Sequence, residues 1–391
     1  MPNPSEQNKL PQVDAAIVGG GIAGAWLLRL LSKRGYRVVL FEQDAFGCQQ
    51  TLASQGMIHG GLKYALGGIL TGASEAIAAM PQRWRACMSG NDPMDLSRVR
   101  LLSPDYYMFA ESGAVGRLTA FFASKALRGR IREVDERPAG FEGFDGTIYR
   151  LNDFVVDTAH LLEVLVEDHL DRTFRQQLSI SNLHTSDQGY IIETEQGKIA
   201  AHHLISCAGS GARQLLEELG VELSTQLRPL KQVMVRTADA PAIFAHCLTG
   251  VASNEPRLTI TSHPGPDGSM IWYLGGAIAT RGVNRTDEAQ IEFARQELAT
   301  CVPWLDFADA TFETLDVDRA EPEHLTGLKP DEAYAEKRDR FILCFPTKLT
   351  LTPDLGDKVA ALLPQPSASG PDIDSSANPV PIGRAPWEEW L

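Results

Sequence analysis

Positive charge is scarce in this chain. Its 36 lysines and arginines stand against 50 aspartates and glutamates, a net charge of −14. A surface with that balance repels phosphate backbones and anionic lipid, which excludes a general nucleic-acid or membrane-surface role. One local basic pocket would stand out against it. Cysteine pairing is also missing: Cys48, Cys87, Cys207, Cys247, Cys301 and Cys344 are scattered, with no C-x-x-C and no Cys/His spacing suited to a metal. No metal or iron–sulfur site is expected, and such thiols fit a reduced, cytoplasmic protein. No run of about 18 apolar residues exists to span a membrane, and residues 1–12 lack the basic and apolar regions of a signal peptide. Internal repeats are absent. What remains is a chain of 391 residues, 43% hydrophobic and 22% charged, with the composition of a soluble globular protein long enough for two domains.

The stretch from Ala15 to Gly24 (AAIVGGGIAG), an amphipathic run, and then Val38-Val39-Leu40-Phe41-Glu42 reads strand, glycine turn, helix, strand, acid. That order is a dinucleotide-binding unit. Gly19 permits the sharp turn out of the strand, and Gly21 lets backbone approach a pyrophosphate. Gly24 allows the helix to pack on the sheet, while the helix N-terminus at Ile22 and Ala23 offers free N–H groups to phosphate. Glu42 lies 23 residues after Gly19, where its carboxylate can accept from two ribose hydroxyls. Gln43 follows it.

A glycine-rich loop over residues 51–72 leads to a helix expected over about 73–88, and a basic amphipathic helix is expected at 115–128. Asp157-Thr158 can cap a helix over 159–170 whose Leu161, Leu162, Leu165 and Val166 form one apolar face. Strands are expected at 178–183 and 190–194 around Asp187-Gln188-Gly189, and a buried strand then ends in Cys207-Ala208-Gly209-Ser210. That is a second strand-to-helix turn without bulk. Alternating runs at 232–236, 257–262 and 270–275, with a helix at 288–301, suggest a second sheet. From Asp318 the chain is expected to return to the first domain through a turn, with a strand at 341–344 and a helix at 353–363. Thr352 is the expected N-cap and Pro353 the first residue of that helix. Residues 364–377 read as a linker. The closing Trp387-Glu388-Glu389-Trp390-Leu391 can either dock or stay solvated.

The loop Ser54-Gln55-Gly56-Met57-Ile58-His59-Gly60-Gly61-Leu62-Lys63-Tyr64 resembles the S-x-x-x-I-H-G-G-[LI]-R-Y segment of flavin-dependent glycerol-3-phosphate dehydrogenases, within the D-amino acid oxidase superfamily. Its I-H-x-G-x-x-Y core is similar to that of L-2-hydroxyglutarate oxidases. Residues 205–212 resemble the second turn of these flavoproteins, 227–233 the strand opening their substrate domain, and Phe345-Pro346-Thr347-Lys348-Leu349-Thr350 their G-G-K-[LW]-T-T segment. Two departures stand out: Lys63 replaces an arginine, and Phe345-Pro346 replaces a Gly-Gly pair. Lysine is a point charge without the bidentate fork, so a carboxylate can take the place of phosphate.

The resemblance implies an α/β fold with a two-dinucleotide-binding, glutathione-reductase-like FAD domain of residues 13–90, 150–222 and 317–364. An α+β substrate domain, 91–149 and 223–316, is inserted on a mostly antiparallel sheet, with flexible tails at 1–12 and 365–391. FAD is the implied cofactor. Ser54, Gln55, Gly56, Ala208, Gly209, Thr347, Lys348, Leu349 and Thr350 join the glycine turn as its expected contacts. The implied reaction is oxidation of a small anionic CH–OH substrate, a hydroxy acid or a glycerophosphate-like molecule, with O2, a quinone or a protein as electron acceptor. Oxidation of an amino acid or secondary amine is the alternative, and a non-catalytic flavoprotein a second one. His59 is the expected general base; it could equally only hydrogen-bond the flavin or a backbone carbonyl, and covalent attachment of the flavin is a third option. Lys63, Arg319 and Lys348 would form a cationic cluster for the anion, and Tyr64 a hydrogen-bonding partner.

Overall fold

The computed structural model describes residues 10–61, 72–110, 131–237, 240–248, 255–323, 332–373, 375 and 378–390. Lys63, Tyr64 and the helix expected at 115–128 lie outside these residues.

The first sheet has five parallel strands at its centre, in the order Thr173–Arg175, Val38–Glu42, Gln12–Val18, Gly197–Ser206 and Phe341–Phe345. The central strand Gln12–Val18 is apolar throughout its buried length apart from Asp14, as a strand covered on both faces must be. Ala15 and Ile17 enter one core, Ala16 and Val18 the other. The hairpin Leu183–Ser186 with Gly189–Thr194 extends the sheet beside the first half of Gly197–Ser206; its first strand starts later than the apolar run at Leu178 suggested. Helix Ile22–Lys33 follows the glycine turn. A Cβ on Gly24 would sit 1.9 Å from the Gly19 carbonyl oxygen, so only glycine lets this helix rest on its strand.

Helix Thr158–Val166 is capped by Asp157, whose side chain accepts from His160 N at 3.0 Å, and its last expected turns are a 3-10 helix, Glu167–Arg172. The late helix runs Thr352–Leu362. Thr352 does not cap it: a 3-10 turn, Leu349–Leu351, precedes it, and the Thr352 hydroxyl donates back to Leu349 O at 2.8 Å. Gly356 lets this helix lie against Trp26 and Leu30 of the first helix, where a Cβ would come within 2.7 Å of both.

The second sheet has eight strands, ordered Thr311–Pro322, Thr225–Thr237, Met270–Gly275, Leu258–Pro264, Ala245–Leu248, Tyr106–Ala110, Ile148–Leu151 and Ile131–Glu133. All neighbours are antiparallel except Ala245–Leu248 with Tyr106–Ala110. Helix Asp287–Cys301, capped by Thr286, packs Ala294 and Leu298 against Val233 and Trp272. A small sheet of Met57–Ile58, Phe154–Val156 and Leu101–Ser103 joins the loop after the glycine turn to this half.

Two expectations are corrected here. Asp318-Arg319-Ala320-Glu321-Pro322 is not a turn: these residues continue the strand Thr311–Pro322, paired with Thr225–Thr237 so that Arg319 stands opposite Arg228. The long ladder and the buried Val317 and Ala320 outweigh the polar, proline-ended composition. Nor does the described C-terminal segment lie free. Ser367 N and Ala368 N both donate to the buried Asp14 carboxylate, at 2.7 and 2.8 Å, Ile382 bridges to Phe46, and Trp387 is buried. A buried carboxylate needs such donors, and the chain's own tail supplies them.

Candidate active site

A cavity of about 490 Å³ runs from Glu42 past both small-residue turns to Lys348. Its floor begins at the glycine turn. Gly19 has φ +103°, and a Cβ there would lie 2.5 Å from Cys207 O, so the two turns touch. Gly21 is the N-cap of helix Ile22–Lys33; Ile22 N donates to Thr51 Oγ at 3.0 Å, and Ala23 lines the cavity beside it. First-turn N–H groups have no partner within a helix, so they present positive ends to this space. Glu42 is held rigidly: its two oxygens accept from Gly20 N at 2.7 Å and Asp44 N at 2.9 Å. Ala208 and Gly209, with φ +55° at Gly209, form the facing wall, and Ser54 lies further along.

At the other end Thr347, Lys348 and Leu349 line the cavity. Thr347 takes φ +60°, a left-handed conformation that costs a non-glycine residue about 1–2 kcal/mol, and its hydroxyl donates to Glu332 O at 3.1 Å. The bend that a glycine would make freely is thus kept by threonine beside Lys348, as strained residues at functional sites are. Thr350 is fully buried. Its hydroxyl donates to His59 O at 3.0 Å and accepts from His59 N at 3.3 Å, and its carbonyl accepts from Trp84 Nε1 at 2.9 Å. This reciprocal pair joins the His59 loop to the Lys348 segment, 291 residues away. His59 is itself buried. Neither His59 nor Thr350 lines the long cavity; His59 borders a smaller one with Asp153 and His246.

Other expected contacts sit elsewhere. Gln43 is exposed and donates to Asp44 at 3.0 Å, because the strand ends at Glu42 and the chain turns outward. Gly24 serves helix packing. The Gln55 amide donates to Tyr273 O at 2.9 Å and Thr259 O at 3.3 Å, tying the loop to the second sheet. Gly56, with φ +67°, meets Val156, whose carbonyl oxygen would lie 2.3 Å from a Cβ. Arg319 does not line the cavity, whereas Asp316, Asp318 and Ala320 of its strand do. The expected cationic cluster is therefore reduced, among the described residues, to Lys348, with Arg384 entering from the C-terminal segment. Asp316, Asp318, Thr51, Arg384 and the neighbouring Cys207 and Cys344 were not singled out for this site from sequence. Thr51 and Cys207 adjoin the loop and the turn that were expected; Asp316, Asp318, Arg384 and Cys344 reach the cavity through folding contacts that have no local signature.

The cavity suits FAD: it is long, it crosses two close-approach turns and a helix N-terminus, and it ends at a fixed carboxylate where a ribose can bind. The family model described as DAO, FAD dependent oxidoreductase, matches residues 14–341. The chain belongs to this family. The oxidoreductase is 43% identical over 387 residues to a probable FAD-dependent oxidoreductase of Pseudomonas aeruginosa, covering 96% of this chain and 97% of the other. The crystal structure of an FAD dependent oxidoreductase from that organism superposes with TM-score 0.80 at 36% identity, covering 99% of each chain. Glycine oxidase from Geobacillus kaustophilus shares the fold, with TM-score 0.66 at 18% identity over 95% of this chain and 98% of that one. A shorter match, 32% identical over 108 residues, links 28% of the oxidoreductase to 18% of an aerobic glycerol-3-phosphate dehydrogenase of Staphylococcus saprophyticus. The protein is an FAD-dependent enzyme.

Proposed function

We propose that this oxidoreductase oxidises the CH–OH carbon of a small substrate carrying a carboxylate or phosphate. Bound FAD supplies the two-electron acceptor, and the first sheet with its turns is the unit that holds it; the second sheet supplies the substrate wall. The observation that carries the reading is the bond pair between His59 and Thr350. It holds an imidazole close to the segment whose Lys348 can neutralise the substrate's anionic group. Gly61 N donates to His59 Nδ1 at 3.2 Å, which puts the proton of a neutral ring on Nε2. To take the hydroxyl proton, the ring must give up the Gly61 bond and accept at Nδ1. O2, a quinone or a protein would then reoxidise the flavin. No helix among the described residues is long and apolar enough to cross a membrane, and the reduced thiols favour a cytoplasmic setting.

The amine reading draws support from Asp316 and Asp318 in the cavity wall, which suit a substrate ammonium group. Anaerobic mixing with hydroxy acids, glycerol-3-phosphate and amino acids, followed by bleaching of the flavin, separates the two. For an alcohol, His59→Asn should keep FAD and slow reduction by roughly 10²–10⁴-fold. Rapid bleaching of that variant by an amino acid, with no response to any hydroxy acid, would transfer the assignment to amines.

A further inference from the structure

The C-terminal segment passes over the FAD cavity between an anchor on the loop after Val38–Glu42 and anchors on the second sheet. On the first side, Phe46 N donates to Pro381 O at 2.8 Å and Gly383 N to Phe46 O at 3.0 Å. On the second, Trp387 stacks on His263 with centroids 3.7 Å apart and meets Tyr273 at 5.3 Å, while the Arg236 guanidinium lies 4.5 Å from the Trp390 ring centre. Gly383 and Arg384 lie between these anchors. A Cβ on Gly383 would come within 3.0 Å of Leu52 and 3.1 Å of the Cys48 Cα, so the segment lies on the loop that follows the second strand. That loop touches the glycine turn, since Gly47 N donates to Gly20 O at 3.0 Å.

Arg384 is thereby brought into the cavity wall, next to the loop that touches the glycine turn. It is exposed, lines that cavity, and has no hydrogen-bond or ion-pair partner among the described residues. We propose that Arg384 is a ligand of the FAD pyrophosphate and that residues 381–390 form a clamp over the bound dinucleotide. A pyrophosphate carries two negative charges, while Glu42 and Glu389 line the same cavity. A helix N-terminus supplies only about half an elementary charge. A guanidinium, which can grip two phosphate oxygens at once, adds a full positive charge to a wall whose other cation among the described residues, Lys348, stands at the opposite end. The geometry accounts for a basic residue in the tail of an acidic protein, and it couples cofactor retention to docking of Trp387.

The test uses Arg384→Gln and Arg384→Lys in the full chain. Apoprotein is titrated with FAD and, in competition, with ADP, which carries the two linked phosphates without a flavin. Arg384→Gln should weaken both ligands by about tenfold or more, with a smaller loss in Arg384→Lys and an unchanged unfolding temperature of the apoprotein. Salt should weaken FAD binding more steeply in the parent than in Arg384→Gln. FAD and ADP affinities within twofold of the parent would overturn the proposal. So would unchanged cofactor affinity combined with a raised KM, which would assign Arg384 to the substrate.

Discussion

The imidazole of His263 and the indole of Trp387 stack with centroids 3.7 Å apart and 23° between their planes. The contact joins a strand of the second sheet to the end of the chain. His263 is fully enclosed, its ring 3.0 Å from the Thr261 hydroxyl, and burial pushes its pKa down from 6.5 to about 3. The folded protein therefore keeps this ring neutral through mildly acidic conditions.

A pH dependence of stability follows. Below pH 6.5 the unfolded chain takes up a proton at residue 263 that the folded chain refuses until about pH 3. The contribution is complete above 6.5 and is lost as pH falls from 6.5 to 3, at up to about 1.4 kcal/mol per pH unit. By pH 5 the loss is about 2 kcal/mol. His263→Phe retains a ring for Trp387 and cannot titrate. Urea unfolding at pH 7.5 and pH 5 should show a smaller difference for the variant by about that amount; equal differences would mean that the ring is hydrated.

Cys207 and Cys344 should be convertible to a disulfide. Their sulfurs are 3.4 Å apart, at the ends of parallel neighbouring strands in which Ser206 pairs with Leu343. Such strands lie about 4.8 Å apart, inside the roughly 4.4–6.8 Å that a disulfide spans between Cα atoms. The hydrogen bond that Cys207 donates to Cys344, whose own thiol donates to Ser206 O, and burial hold the Cys207 thiol well above its ordinary pKa, so closure should be slow and faster in alkali. Treatment with diamide, which becomes a hydrazine as it takes two electrons and two protons, should remove two hydrogens from the protein's mass. Cys344→Ser should prevent this. Two alkylatable thiols at these positions after prolonged treatment would show that the pair does not close.

Lys348→Met should slow flavin reduction by anionic substrates at least tenfold, with FAD affinity changed much less. The side chain lines the cavity beside the strained Thr347, and under the proposed function its charge acts on the substrate anion rather than on the pyrophosphate. Stopped-flow reduction alongside FAD titration reads both quantities. A reduction rate close to the parent's would place the ammonium group outside the reaction.

The glycine turn was legible because its constraints are short in sequence: Gly24 must admit the Gly19 carbonyl oxygen five residues back, and apolar strands flank the turn. The Asp157 cap, the helix at 287–301 and the strand Met270–Gly275 likewise rest on neighbouring residues. The resemblance added the order of the larger segments and the cofactor. It also pointed to His59 and Lys348, but it could not say that Thr350 ties their segments together.

The sequence by itself determined the βαβ unit, the capped helices at 158–166 and 287–301 and, through its motifs, the family chemistry, because spacing and backbone preference act over a few residues. Tertiary structure decided that Asp318 to Pro322 belong to a strand, that Gln55 serves the second sheet, that Cys207 meets Cys344, and that the tail covers the cavity. Each of those outcomes depends on surfaces made by residues far apart in the chain. Arg384 has no local feature that marks it; it acquires a place in the cavity wall only because Asp14, Phe46 and His263 fold into anchors for the segment that carries it.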